Sequence, residues 1–169
     1  LFLGEAAKGY IPPGGESLEQ TLDKDSQPNP YEALAVGPRS DAEDRKLNDN
    51  LWPDVPVELR ATWIEYYEAV EHFINQLMRA FAMGLGLDEQ FFQSFVNQHG
   101  SYLRATNYPE LNAPLAHGQV RAGEHCDYGS LTVLWTQAPG LQVNYKNQWI
   151  DVPVREDGLI VNLGNLMAA

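Results

Sequence analysis

Apolar residues recur every three or four positions between residues 57 and 83, and every second position in the later run Leu141-Gln142-Val143-Asn144-Tyr145. That change of period constrains the fold more than any other feature, because a 3.6-residue period suits a helix and a two-residue period suits a strand. In the first stretch Leu59, Trp63, Tyr66, Val70, Phe73, Leu77 and Phe81 form one stripe and predict a long α-helix. Gly84 and Gly86 predict its C-terminal stop. A second, shorter helix is predicted from Asp88 as N-cap to Gly100, with Leu87 and Phe92 at the staple positions.

The later stretch is rich in β-branched and apolar residues. Ser130–Thr136 predicts one strand, and Leu141-Gln142-Val143-Asn144-Tyr145 alternates strictly. Lys146-Asn147 then makes a turn, Trp149–Val152 alternates again, and Gly158–Gly164 predicts a further strand. Short strands separated by turn signals indicate a sandwich or barrel. The fold class read from these patterns is α+β, with helices packed against a β-sandwich. Three zones follow. Residues 1–50 are Gly-, Pro- and polar-rich, with the turn cluster Gly9–Gly15, a short buried strand at Ala33–Val36 and an exposed charged run at Asp41–Asp49. Residues 51–100 form a helical layer, and residues 101–169 carry the strands, all within one structural domain.

At 169 residues the chain is long enough to bury a core. Its net charge of −12, spread along the chain, argues against nucleic acid as a partner, since phosphate binding needs clustered Lys and Arg. No apolar run approaches the roughly 20 residues of a membrane span, so no membrane partner is expected. Leu1–Glu5 has no basic region or extended apolar core of a signal peptide, and the single Cys126 cannot form an internal disulfide. A cytoplasmic protein is expected, and nothing in the sequence demands an oligomer.

Chemistry concentrates at His125-Cys126-Asp127. On a strand, side chains two apart share a face, so His125 and Asp127 would point into one cavity and Cys126 outward into the core. An imidazole and a carboxylate supply two-thirds of a 2-His-1-carboxylate iron site, which keeps positions open for co-substrate and oxygen. Such a pair alone is weak, because surface or structural His-x-Asp pairs are common. His72 and His99 are expected to serve the helices, and His117 lies in the Pro114–Gly118 loop.

The surrounding run, His125-Cys126-Asp127-Tyr128-Gly129-Ser130-Leu131-Thr132-Val133-Leu134, resembles the His-Thr-Asp-x-Gly-x-Leu-Thr-Leu-Leu block of the isopenicillin N synthase-like oxygenases. Gly140-Leu141-Gln142-Val143, Trp149-Ile150-Asp151-Val152-Pro153 and Val161-Asn162-Leu163-Gly164-Asn165-Leu166-Met167-Ala168 resemble later blocks of that family in the same order. Leu103–Pro109, Gly9-Tyr10 and Asn50-Leu51-Trp52-Pro53 resemble earlier ones.

The resemblance implies a double-stranded β-helix, or jelly roll, flanked by the long helix and the shorter one, with residues 101–169 its first part. It implies Fe(II) bound by His125 and Asp127, with 2-oxoglutarate and O2 as co-substrates and a small organic molecule hydroxylated, desaturated or cyclised. Tyr108 matches a family tyrosine that contacts the co-substrate. Arg104 has a fork suited to a carboxylate, with a surface ion pair as its other reading, and Asn107 is a candidate of the same kind. Leu131 is expected in the pocket wall or the core. The family's second His ligand and its Arg-x-Ser motif would follow Ala169, so two ligands are expected in the chain as given. A 2-oxoglutarate-independent oxidase and a non-catalytic jelly-roll module remain the alternative readings.

Overall fold

A computed structural model describes residues 9–18, 27–37, 50–97 and 99–167. The charged run at Asp41–Asp49, Leu1–Glu5 and Ala168 lie outside the described residues. The chain divides into two compact units, Leu1–His125 and Cys126–Ala169.

The first unit holds strands β1 (Gly9–Ile11), β2 (Glu32–Val36) and β3 (Leu103–Asn107), and helices α1 (Leu59–Gly84) and α2 (Gln93–Val96). The strands form one antiparallel sheet in the order β1-β2-β3, so β2 is paired on both edges. Its small alternate residues Ala33 and Ala35 are buried, as are Tyr31 just before it and Val36 at its end. Strand alternation therefore sorts β3 as well. Arg104 and Thr106 stand opposite Ala35 and Ala33, whereas Asn107 stands opposite Glu32 on the other face.

Helix α1 forms where the apolar stripe predicts it, but its buried face is turned slightly. Tyr66 and Phe73 are 50% and 38% exposed, while Met78 and Ala82 are buried. The inner face runs through Trp63, Tyr67, Val70, Ile74 and Leu77 instead. Tyr67, beside Tyr66, is fixed inward because its hydroxyl donates to the Ser101 carbonyl at 3.1 Å. The helix ends in a Schellman arrangement. Gly86 adopts φ +73, its N–H donates to the Met83 carbonyl at 3.0 Å, and the Leu87 N–H donates to Ala82 at 2.9 Å. The second helix is shorter than its predicted span of Asp88–Gly100. Asp88 caps a turn rather than the helix, its carboxylate accepting from the Gln90 N–H at 2.8 Å. After α2, His99 bonds Glu71 of α1 at 2.5 Å, and His72 stays on the helix surface beside Gln76.

The second unit holds β4 (Leu131–Leu134), β5 (Gln142–Tyr145), β6 (Gln148–Asp151) and β7 (Ile160–Leu163). β4 pairs antiparallel with β7, Val133 opposite Val161. β5 and β6 form a hairpin whose turn residues Lys146 and Asn147 both have positive φ, 52 and 63. Two left-handed residues match the right-handed twist of the flanking strands, and Asn tolerates that conformation well. All four predicted strands are present, within a residue or two at each end. Among the described residues they form separate two-stranded sheets.

Candidate functional site

The His125-Cys126-Asp127 segment is not a strand. It is irregular chain leading into β4, so the same-face argument does not apply to it, and Cys126 is exposed rather than packed in the core. What orients the residues is hydrogen bonding. His125 Nδ1 lies 2.9 Å from the Gly123 carbonyl. A carbonyl only accepts, so Nδ1 carries the proton, and in the neutral ring the lone pair sits on Nε2. Backbone carbonyls set metal-binding imidazoles in this tautomer. In the second unit the Asp127 carbonyl accepts from the Asn165 N–H at 2.9 Å, which ties the carboxylate's backbone to the chain after β7.

Nitrogen from His125 and oxygen from Asp127 are the donor chemistry that ferrous iron takes in open three-ligand sites. These two residues therefore fit the group, as two donors of a larger set. Among the described residues no cluster of three or more His, Cys, Asp or Glu side chains is arranged to hold a metal.

The first unit gathers a second constellation that includes two of the predicted binding residues. Arg104 pairs with the Glu16 carboxylate, Tyr31 donates its hydroxyl to the same Glu16 at 2.5 Å, and the Arg104 guanidinium lies 5.4 Å from the Tyr31 ring centre. Tyr31 meets Tyr108 edge-on at 5.3 Å, and Arg121 lies 5.7 Å from the Tyr108 ring while donating to the Pro109 carbonyl. An arginine, two tyrosines and a second arginine thus stack in sequence. Burial, with the hydrogen bond to Glu16, pushes the Tyr31 phenol well above its ordinary range. Tyr108 keeps 47% of its surface in solvent.

The Arg104 fork, read as meeting either a substrate carboxylate or an ion-pair partner at the surface, is thus occupied by a carboxylate of the chain itself, in a pair that is buried rather than on the surface. Asn107 is not part of this group. It donates to Glu32 at 2.8 Å, and Glu32 also accepts from Tyr10 at 2.5 Å. Leu131 opens β4 opposite Leu163 and is half-buried. Glu16, Tyr31 and Arg121 were missed in the sequence. Arg121, four positions before His125, carried the one available signal, whereas Glu16 reaches Arg104 across 88 positions.

Known proteins are similar to this chain in sequence and in fold. Residues 91–169 match the sequence model of the 2OG-Fe(II) oxygenase superfamily. The 2-oxoglutarate-dependent dioxygenase caaD of Aspergillus niger is 34% identical over 161 residues, which cover 88% of this chain and 48% of that protein. Among solved structures, a full-length Neurospora crassa protein in complex with alpha-KG superposes with a TM-score of 0.80 at 35% identity, covering 97% of this chain and 52% of that one. JOX2, solved in complex with 2OG, Fe and JA, superposes with a TM-score of 0.74 at 27% identity, covering 96% of this chain and 46% of that one. Through residues 91–169 the chain belongs to the 2OG-Fe(II) oxygenase superfamily. It spans about half the length of the curated relatives it matches.

Proposed function

We propose that the protein is a non-haem iron(II) oxygenase, an enzyme that oxidises a small organic molecule with O2 and 2-oxoglutarate. The observation that carries this is His125, held in the Nε2-lone-pair tautomer by the Gly123 carbonyl, two residues from Asp127 within the family match. His125 and Asp127 would hold the iron, which when bound supplies the activation of oxygen. The chain's own residues position and shield. Tyr108 contacts the co-substrate, and Arg104, neutralised by Glu16, supports it through Tyr31. Leu131 contributes an apolar wall. Asn107 stays bonded to Glu32 at the sheet edge.

In this reading residues 101–169 are the first part of an isopenicillin N synthase-like jelly roll, preceded by the helical layer of residues 51–100 and the N-terminal region of residues 1–50. The likeness to the 2OG-Fe(II) oxygenase structures supports it. No helix among the described residues is long and apolar enough to cross a membrane. A reducing compartment such as the cytoplasm suits the exposed Cys126 thiol between the proposed ligands.

Anaerobic addition of Fe(II) and 2-oxoglutarate to the full chain is the test. A weak visible metal-to-ligand absorption band is expected, lost in His125→Ala and Asp127→Ala. No band in the unsubstituted protein would overturn the reading. Substrate oxidation without succinate release would mark a 2-oxoglutarate-independent oxidase instead.

A further inference from the structure

Gly164 is buried directly after β7 and presses its backbone against the segment that carries Asp127. A methyl group built on its Cα would overlap the Gly129 carbonyl and come within 3.2 Å of the Asp127 carbonyl oxygen. Both are backbone atoms, so no flexible side chain is there to move aside. Around this contact three N–H groups of the post-β7 chain donate to three carbonyls of the pre-β4 chain: Gly164 to Ser130 at 2.9 Å, Asn165 to Asp127 at 2.9 Å, and Leu166 to Gly129 at 3.3 Å. The Asn165 bond falls on the peptide of Asp127 itself. Because that segment is irregular rather than part of a strand, no regular ladder fixes the carboxylate, and these bonds take that place.

We infer that Gly164 is a positioning residue for the proposed iron ligand Asp127: its missing side chain lets the post-β7 backbone clamp residues 127–130 and fix where the carboxylate sits. The inference rests on the iron reading above. It predicts that Gly164→Ala displaces the Asp127 backbone and weakens metal binding while β4 and β7 remain paired. Supporting partners that orient a ligand typically account for about 10- to 100-fold in metal affinity.

The test measures Mn(II) affinity by electron paramagnetic resonance, and amide hydrogen exchange in the metal-free protein, both on the full chain. Gly164→Ala should bind Mn(II) at least about tenfold more weakly and exchange the Asn165 amide faster. Asn165→Pro removes the N–H that meets Asp127 and puts no side chain on Gly164, although its ring also narrows the conformations open to Gly164; it should weaken Mn(II) binding likewise, and it serves if the alanine variant does not fold. Val161→Ala, which thins the β4–β7 pair without touching the clamp, should lower the melting temperature and keep the affinity within about twofold. Parent-like Mn(II) affinity in both Gly164→Ala and Asn165→Pro overturns the inference, as does an equal loss in Val161→Ala. If the unsubstituted protein binds no Mn(II), or Asp127→Ala binds it normally, the iron reading itself falls. If Asp127→Ala abolishes binding and the two clamp variants do not alter it, only the role of Gly164 falls.

Discussion

Glu16 and Arg104 meet across 88 positions of chain with only 10% and 19% of their side chains exposed. Two charges so far out of water are stable only together, and removing one strands the other. The pair also senses acid. Burial by itself would raise the Glu16 carboxyl, but hydrogen bonds from Arg104 and Tyr31 and the Arg104 charge outweigh it and hold the group below its ordinary 4.5. The folded protein therefore binds this proton more weakly than the unfolded chain does. The pair's contribution is complete above about pH 4.5 and is lost as the pH falls through the lower folded-state value. Glu16→Gln should cost about 3 kcal/mol at neutral pH, the low end for a buried pair because part of Arg104 still meets water. Urea midpoints at neutral pH and near pH 3 check this: the substitution should narrow the gap between them, and an equal drop at both would refute the assignment. Nothing in the sequence links Glu16 to Arg104. His125 and Asp127, by contrast, sit within three residues and inside a longer block, which is why they were legible and Glu16 was not.

At the scale of the element, the Schellman end of α1 makes a paired prediction with opposite signs. Gly84 is the last helical residue and has open space where a Cβ would go, whereas Gly86 holds φ +73. Gly84→Ala should stabilise the protein by about 0.5–1 kcal/mol through lost unfolded-chain freedom. Gly86→Ala should cost about 1–2 kcal/mol, because an L side chain is strained in the left-handed region. Differential scanning calorimetry of the two variants separates them, and shifts of the same sign would contradict the assigned helix end. In sequence both glycines signal a stop, yet only geometry distinguishes their roles. Elements were otherwise legible where period dominated. The chain around β5 alternates, β4 and β7 are rich in β-branched and apolar residues, and the hairpin turn at Lys146-Asn147 announces itself. The phase of α1 was harder, since Tyr66 and Tyr67 are chemically equal candidates and only the bond from Tyr67 to Ser101 selects between them. The second helix was overestimated because Asp88 caps turns as readily as helices.

At the scale of the molecule, the change of period marks a helical stretch and a strand-rich one, whereas the two compact units meet along the chain at His125 and Cys126. That boundary depends on which strands pair, and pairing partners leave no mark on local period. The two units also differ in how well their strands are covered. β2 has buried residues and two neighbours, whereas every residue of β5 and β6 is exposed. A two-stranded hairpin exposed on both faces is marginal by itself. Hydrogen exchange on the 169-residue chain should therefore find β5–β6 amides exchanging freely and those of Ala33 and Ala35 protected; equal protection would show that the hairpin has further cover. The central place of β2 has a consequence during synthesis. One of its two partners, β3, lies about 70 residues downstream, beyond the whole of α1. At about 5–20 residues per second a ribosome takes roughly 4–14 s to deliver it. For those seconds β2 has one open edge and an apolar face while α1 can already coil locally. The nascent chain is thus most vulnerable to wrong pairing between the synthesis of β2 and that of β3, and slow codons between residues 37 and 103 would lengthen that exposure.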